Sequence, residues 1–465
     1  MRSFFGLAVL LASLHYVCAG LPNKIYGVNI GGWLVLEPWM LPAEWLEMGG
    51  EICSDCSQCI GSEYAYVKAY PDSADEAFAQ HWSTWFTQSE VATLASYGIN
   101  TVRIPLGYWI VEQLVDRETE FYARGGIMYL QQGLKWLQDA GIQVILDHHA
   151  LPGVQTSDQS FAGNCTYNVQ FYTEYNYHRA LVWTAVMTTL SHLDPNFGSV
   201  LAIEAVNEPI MDASETPGYG TFQQYFVDTV RAVELILGIP VPGLALDTPV
   251  GTTNMSAALV QVGNSSSMVF NEEVKSALVE AAPILAELAV QLSVPAIFDF
   301  ASASNQREAL WTTFMDVNWQ RDDPPNPAYA AKGPQGYDNH LYYNFGGVAD
   351  PNPTAYMESI CNLQRVQADA ALGDSPLWFG EWGLPTQFNA TDQFLYQWAD
   401  AQKLAYSVGK GWIFWNFQVE ISELAGNLSR QWSYIEGVKL GYFTQDPAEY
   451  HNASVCAPYI SASST

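Results

Sequence analysis

Short apolar runs alternate along the chain with longer stretches in which apolar residues recur at helical spacing. The runs fall at 26–31, 101–105, 144–149, 200–206, 296–301, 337–342, 377–382 and 412–417, and each reads as a strand. Most are apolar at successive positions, as strands buried on both faces are. Helical periodicity fills 89–97, 128–140, 178–193, 222–237, 356–371 and 393–408. Gly98, Gly141 and Gly409 supply the stop that commonly ends a helix. Eight strands with helices between them predict an α/β fold, a (β/α)8 TIM barrel in a single domain over 21–465. A doubly wound open sheet is the alternative, but no glycine-rich phosphate loop follows the first strand.

The rhythm breaks between the fourth and fifth strands, where 206–296 is far longer than one crossover helix requires. Residues 238–267 are rich in Pro, Gly, Ser, Thr and Asn, and 273–292 predict an extra amphipathic helix. This reads as an insertion at about 238–292 in the barrel, not a second domain. Charge narrows the class of partner. Lys and Arg total 18 against 48 Asp and Glu, a formal charge of -30. Such a surface repels phosphate backbones and anionic bilayers, which excludes nucleic-acid and polybasic membrane functions. Aromatic residues make up 14%. That excess suits a core, and it equally suits stacking on sugar faces.

The N-terminus has the pattern of a secretory signal: Arg2, an apolar run from Phe4 to Leu14, and Val17-Cys18-Ala19 before a cleavage point, so residues 1–20 are expected to be removed. No later run reaches the length of a membrane span, and a soluble, secreted monomer is expected. Export agrees with glycosylation sequons at Asn164, Asn254, Asn264, Asn389, Asn427 and Asn452. It also agrees with six remaining cysteines, Cys53, Cys56, Cys59, Cys165, Cys361 and Cys456, all expected in disulfides. A metal knot at Cys53, Cys56 and Cys59 is the competing reading.

Barrel enzymes carry their chemistry at the C-terminal ends of the strands. Those ends hold Glu37, Arg103, His148 and His149, Asn207 and Glu208, His340 with Tyr342, Glu381, and Trp415. Two carboxyl groups suffice to cleave an acetal, one donating a proton to the leaving oxygen and one attacking the anomeric carbon. Glu208 and Glu381 fit that requirement, and Arg103 is placed to keep Glu381 ionised. Two rim glutamates in ordinary salt bridges are the bland alternative. His148 and His149 beside Asp147 suggest a metal site as a further alternative, but a third ligand at suitable spacing is missing.

Longer motifs add a resemblance. Asn207-Glu208-Pro209 and Gly380-Glu381-Trp382 resemble glycoside hydrolase family 5, whose members are retaining (β/α)8 glycosidases. The run from Asn29 to Pro38, the run from Val102 to Trp109, and Gly411-Trp412-Ile413-Phe414-Trp415 are most similar to its fungal exo-β-1,3-glucanase group. The resemblance runs from about Tyr26 to Phe443. It implies Glu208 as acid/base and Glu381 as nucleophile. It implies Arg103 as the nucleophile's partner, with Asn207, His149, His340, Tyr342 and Glu37 contacting sugar or nucleophile. Trp415 would be the platform beneath the terminal glucose, and Phe161 with Phe345 an aromatic clamp. It also implies a Cys361–Cys456 bridge, leaving the other four cysteines unassigned. The expected activity is release of glucose from the non-reducing end of β-1,3-glucan in fungal wall metabolism, with no metal or organic cofactor. An endo-acting or β-1,6-specific glucanase, a transglycosylase, and a non-enzymatic glucan-binding wall protein are the alternatives. The chain departs from the group's pattern after Pro152-Gly153, at Leu341, at Asn416-Phe417 and in the 238–292 insertion. These changes bear on linkage and exo-action more than on retaining hydrolysis.

Overall fold

The computed structural model describes residues 20–302, 307–320 and 332–460. The signal sequence expected at 1–20 therefore lies, but for Gly20, outside the described residues. The strands are β1 (Ile25–Asn29), β2 (Thr101–Gly107), β3 (Gln143–Ala150), β4 (Val200–Glu204), β5 (Trp311–Met315), β6 (Gln335–Leu341), β7 (Leu377–Trp382) and β8 (Gly411–Phe414). All neighbours pair in parallel, and β1 pairs with β8 to close the barrel. The fold is a (β/α)8 barrel. Its parallel strands are buried on both faces because helices such as Gly126–Asp139, Glu174–Leu193 and Asp392–Tyr406 cover them. No described helix is long and apolar enough to cross a membrane.

Two of the elements expected from the sequence take another form in the structure. The expected fifth strand at 296–301 is instead a pair of single turns, Pro295–Ile297 and Phe300–Ser302, following helix Glu272–Gln291. Ile297 N–H bonds back to Val294 and Phe298 N–H to Pro295, so these donors go to a local turn and not to a ladder. The true strand, Trp311–Met315, carries two buried threonines, and a search for apolar runs passes over it. Their hydroxyls are satisfied inside the fold: Thr312 accepts from Arg231 and Thr313 donates to the Ile203 carbonyl. The second difference lies at 356–371, which forms two helices, Pro353–Cys361 and Arg365–Leu372. The break falls where Cys361 is bonded to Cys456 and Asn362 donates to the Tyr459 carbonyl.

The long β4–β5 connection contains one helix more than expected, Met255–Gly263, beside Glu272–Gln291. Asn254 caps it through a bond from Ala257 N–H at 2.9 Å. Glu272–Gln291 packs on Glu174–Leu193, where His178 reaches Glu273 at 2.7 Å and Glu280 at 2.9 Å, and Met255–Gly263 packs on Glu272–Gln291. The remaining cysteines are bonded Cys53–Cys59 and Cys56–Cys165, the second tying the β1 and β3 loops together. Asn264, Asn389, Asn427 and Asn452 are exposed, and Asn164 and Asn254 are half-buried.

Helix Glu63–Ala69 starts beneath the β1 loop. Glu63 is fully buried and accepts from Leu36 N–H at 2.7 Å, one residue before Glu37. Burial pushes its carboxyl from 4.5 to about 8. A carboxyl raised on folding stabilises most below its unfolded value, and that stability is lost as pH rises through the folded value. Glu63 should therefore cost on the order of 3 kcal/mol between pH 5 and pH 8. Urea unfolding at the two pH values checks this: Glu63→Gln, which keeps the acceptor but cannot ionise, should remove that part of the loss.

Candidate active site

The barrel's second strand delivers one cation to its interior. Arg103 is fully buried, and each of its nitrogens has a partner. Its Nε donates to Glu204 at 2.8 Å, Nη1 to Glu381 at 2.9 Å and to Asn29 at 3.1 Å, and Nη2 to Asn207 at 2.7 Å. Asp147 stands 3.1 Å from Nη1, and Asp338 stands 3.6 Å from Nε. A buried guanidinium is retained only with such partners. The carboxyls around it hold its pKa above the usual arginine range, against the opposing pull of burial.

Glu381 comes from the end of β7 and Glu208 from four residues beyond β4. His340 lies between them, its Nδ1 2.7 Å from Glu208 and 3.5 Å from Glu381. One oxygen of each glutamate and a ring nitrogen of His340 lie within 4.8 Å of one another. Tyr342 donates to the second oxygen of Glu381 at 2.9 Å. The one-sided spacing of β6 explains the pair, since residues two apart on a strand share a face. Glu208 is held at φ +39°, a region that non-glycine residues seldom occupy outside tight or functional turns. Its loop is braced by Gln155, which donates to the carbonyls of both His149 and Asn207.

Burial raises Glu208 to about 7, against the lowering effects of His149 and Arg103. Burial raises Glu381 as well, opposed by His340 and Arg103. The two histidines move the other way, His149 to about 3 and His340 to about 4, chiefly through burial. Both rings are therefore neutral near neutral pH. Glu37 is a third carboxyl facing the pair. It accepts from Trp39 at 2.9 Å and is raised to about 8 by burial, with smaller contributions from Glu381 and Glu208.

Aromatic rings flank these groups in two sets. Trp415 lies parallel to His149 with centroids 5.7 Å apart, and Phe161 meets His149 edge-on at 5.5 Å. Opposite, Trp39 packs on Trp432, Trp432 on Tyr342, and Tyr342 on Phe345. Phe345 is 75% exposed, while Phe161 is half-buried. The expected clamp residues thus belong to different ring sets. His148 stacks on Trp183 at 4.0 Å in the core, away from the cleft.

Sequence reasoning named the groups at the strand ends but not those beneath them. Glu204, Asp338 and Asn29 have no role in the sequence reading, nor do Trp39 and Trp432, and Asp147 appears there only beside an alternative metal site. A charged residue inside an apolar strand was the available signal for Glu204, and strand alternation places Asp338 on the same face as His340 and Tyr342.

The family model described as cellulase (glycosyl hydrolase family 5) matches residues 72–420. The chain belongs to glycosyl hydrolase family 5. Glucan endo-1,6-beta-glucosidase B of Emericella nidulans is 28% identical over 455 residues, covering 93% of this chain and 88% of that protein. Glucan 1,3-beta-glucosidase of Blumeria graminis is 35% identical over 193 residues, 40% of this chain and 41% of that protein. Among solved structures, rutinosidase from Aspergillus niger superposes with a TM-score of 0.59 at 17% identity, covering 92% of this chain and 99% of that one, a likeness of fold.

Trp415 is set in place by its neighbours. Asn416 accepts from Gly31 N–H at 2.8 Å and donates to the Gly31 carbonyl at 2.9 Å. A Cβ at Gly31 would lie 2.8 Å from the Trp415 indole. Gly31→Ala should therefore tilt the ring and lower kcat/KM for a glycoside substrate by about 10-fold, mainly through KM, in steady-state kinetics.

Proposed function

We propose that this family 5 enzyme is a secreted retaining glucanase that cleaves internal linkages of β-1,6-glucan. The linkage reading rests on similarity. A relative named as an endo-1,6-beta-glucosidase matches 93% of the chain, whereas two named as 1,3-beta-glucosidases match 40% and 45%. The motifs behind the exo-β-1,3 expectation lie largely at strand ends around Glu37, Arg103 and Trp415. Loops outside them shape the outer subsites and so select linkage. Three disulfides among the described residues suit an oxidising compartment.

The single observation that carries the chemistry is the closeness of Glu208 and Glu381: one oxygen of each lies within 4.8 Å of the other, a nearest-atom approach that supports a retaining pair. A retaining pair stands about 5–5.5 Å apart, and an inverting pair leaves about 6.5–9.5 Å for water. Environment divides the roles. Glu381 faces a guanidinium and a phenol donor, so it is the ionised partner and attacks the anomeric carbon. Glu208, raised to about 7 and facing a neutral His340, carries the proton that goes to the leaving oxygen. Cleavage leaves a glycosyl ester on Glu381 and an ionised Glu208. Glu208 then takes a proton from water as that water attacks the ester, and the carboxylate of Glu381 is released. Asn207, held by Arg103, Glu37 and the Trp415 face are available to grip the sugar.

Two predictions test the mechanism. Glu208 must be protonated for the first step, so kcat/KM for a glucan oligosaccharide should fall as pH rises through about 7. An aryl glycoside whose leaving group needs little protonation should show a much weaker fall in the same pH titration. Glu381→Gln and Glu208→Gln should each lower kcat on glucan by about 1000-fold. Only Glu208→Gln should be rescued by azide on an activated aryl glycoside, giving the β-glycosyl azide by NMR; an α-azide would reverse the assignment.

Linkage is tested by product analysis. Linear β-1,6-glucan should yield a ladder of oligosaccharides at early times, with β-1,3-glucan cleaved at least about 10-fold more slowly. Glucose as the sole early product from β-1,3-glucan would restore the exo-β-1,3 reading.

A further inference from the structure

The β6–β7 ladder slips by one residue beside Glu381. Asn339 pairs with Phe379 and His340 with Glu381, so Gly380 has no counterpart across the ladder. A bulge of this kind bends its strand and re-aims the next side chain. Here the extra peptide is gripped on both sides. Gly380 N–H donates to Asp338 Oδ1 at 2.5 Å, and the Gly380 carbonyl accepts from Asn29 at 2.8 Å. Asn29 itself accepts from Arg103. A side chain at 380 would overlap the Asp338 carboxyl, which is why the bulge needs glycine.

Asp338 is fully buried, and every charged neighbour bears on its state. Arg103 of β2 lies 3.6 Å from Oδ2, and His340 of its own strand 4.0 Å. Glu204 of β4 and Glu381 of β7 repel its charge, and Asp147 of β3 competes for the same guanidinium. One guanidinium does not neutralise four buried carboxylates. Glu204, Asp147 and Glu381 all lie within 3.1 Å of Arg103 nitrogens, and Asp338 is the one held farther off. Its Oδ2 has no hydrogen-bond partner among the described residues.

We propose that Asp338 is a positioning residue that, as a neutral carboxylic acid, pins the Gly380 bulge and thereby aims Glu381 at the substrate. The proposal rests on Glu381 being the nucleophile. A neutral acid keeps an acceptor for Gly380 and leaves the Arg103 charge to Glu381. Burial and the nearby Glu204 raise the carboxyl well above its ordinary range, in agreement.

Asp338→Ala frees the bulge and should lower kcat by about 100-fold with little change in KM. Asp338→Asn keeps an acceptor and stays neutral, so it should recover at least about 10-fold of that loss. Infrared spectra of the wild-type enzyme near neutral pH should contain a carboxylic-acid carbonyl band that is missing from Asp338→Asn. An Asn variant as impaired as the Ala variant, or no band lost on substitution, overturns the proposal. The infrared comparison decides even if Asp338→Ala does not fold. Trapping with an activated 2-deoxy-2-fluoro glycoside and mapping the labelled peptide tests the underlying reading separately. Label on Glu381 supports it, and label elsewhere overturns the nucleophile assignment and, with it, the aiming role of Asp338.

Discussion

The buried charge of Arg103 is the constraint around which the barrel interior is organised. A guanidinium without water must be surrounded by acceptors, and strands β1, β3, β4, β6 and β7, with the turn after β4, each supply one. The acceptors outnumber the charge. Carboxyls crowded around one cation compete for it, and burial raises Asp147, Glu204 and Asp338 together. Removing one partner would strand the others, so the network is cooperative in the sense that buried polar groups are. Its outcome is that the strand-end glutamate nearest the solvent side shares Arg103 with groups that are reluctant to ionise.

The same arrangement separates two carboxyls that begin alike. Both glutamates are raised by burial, yet only Glu381 touches Arg103 and Tyr342. Glu208 sits on a loop at positive φ, 20% exposed along its side chain, with a neutral imidazole as its nearest partner. In the proposed mechanism, different surroundings, not different side chains, give one group a proton to donate and the other a charge to attack with. The loops then add a layer of their own. The Cys56–Cys165 bridge, Gln155 and the aromatic set from Trp39 to Phe345 lie outside the strands, in the loops and short helices that follow strand ends.

Much of this was legible in the chain. Parallel strands covered on both faces write themselves as apolar runs, and seven of eight were found at nearly their observed positions. Glu208 and Glu381 could be named because a strand end is a local feature and each sits in a local motif. The fifth strand was not legible, since its buried threonines satisfy their hydroxyls through other elements, Thr312 with Arg231 and the Pro334 carbonyl and Thr313 with the Ile203 carbonyl. The turn at 296–301 imitated a strand because it is an apolar run, although within it only Ile297 is buried and Phe298 is exposed. The break at Cys361 depended on a residue 95 positions away.

By itself the sequence determined the barrel, the pair of glutamates, and the identity of the cation that serves one of them, because periodicity and strand-end chemistry are short-range properties. The tertiary structure alone decided that four carboxyls share that cation, that His340 touches both glutamates, that Phe161 and Phe345 lie in separate ring sets, and that a one-residue slip between β6 and β7 falls beside Glu381. The reason is physical. Protonation around Arg103 and ladder register depend on which strands lie side by side in the closed barrel, with Glu204 and Glu381 standing 101 and 278 positions from Arg103, and no local pattern records that.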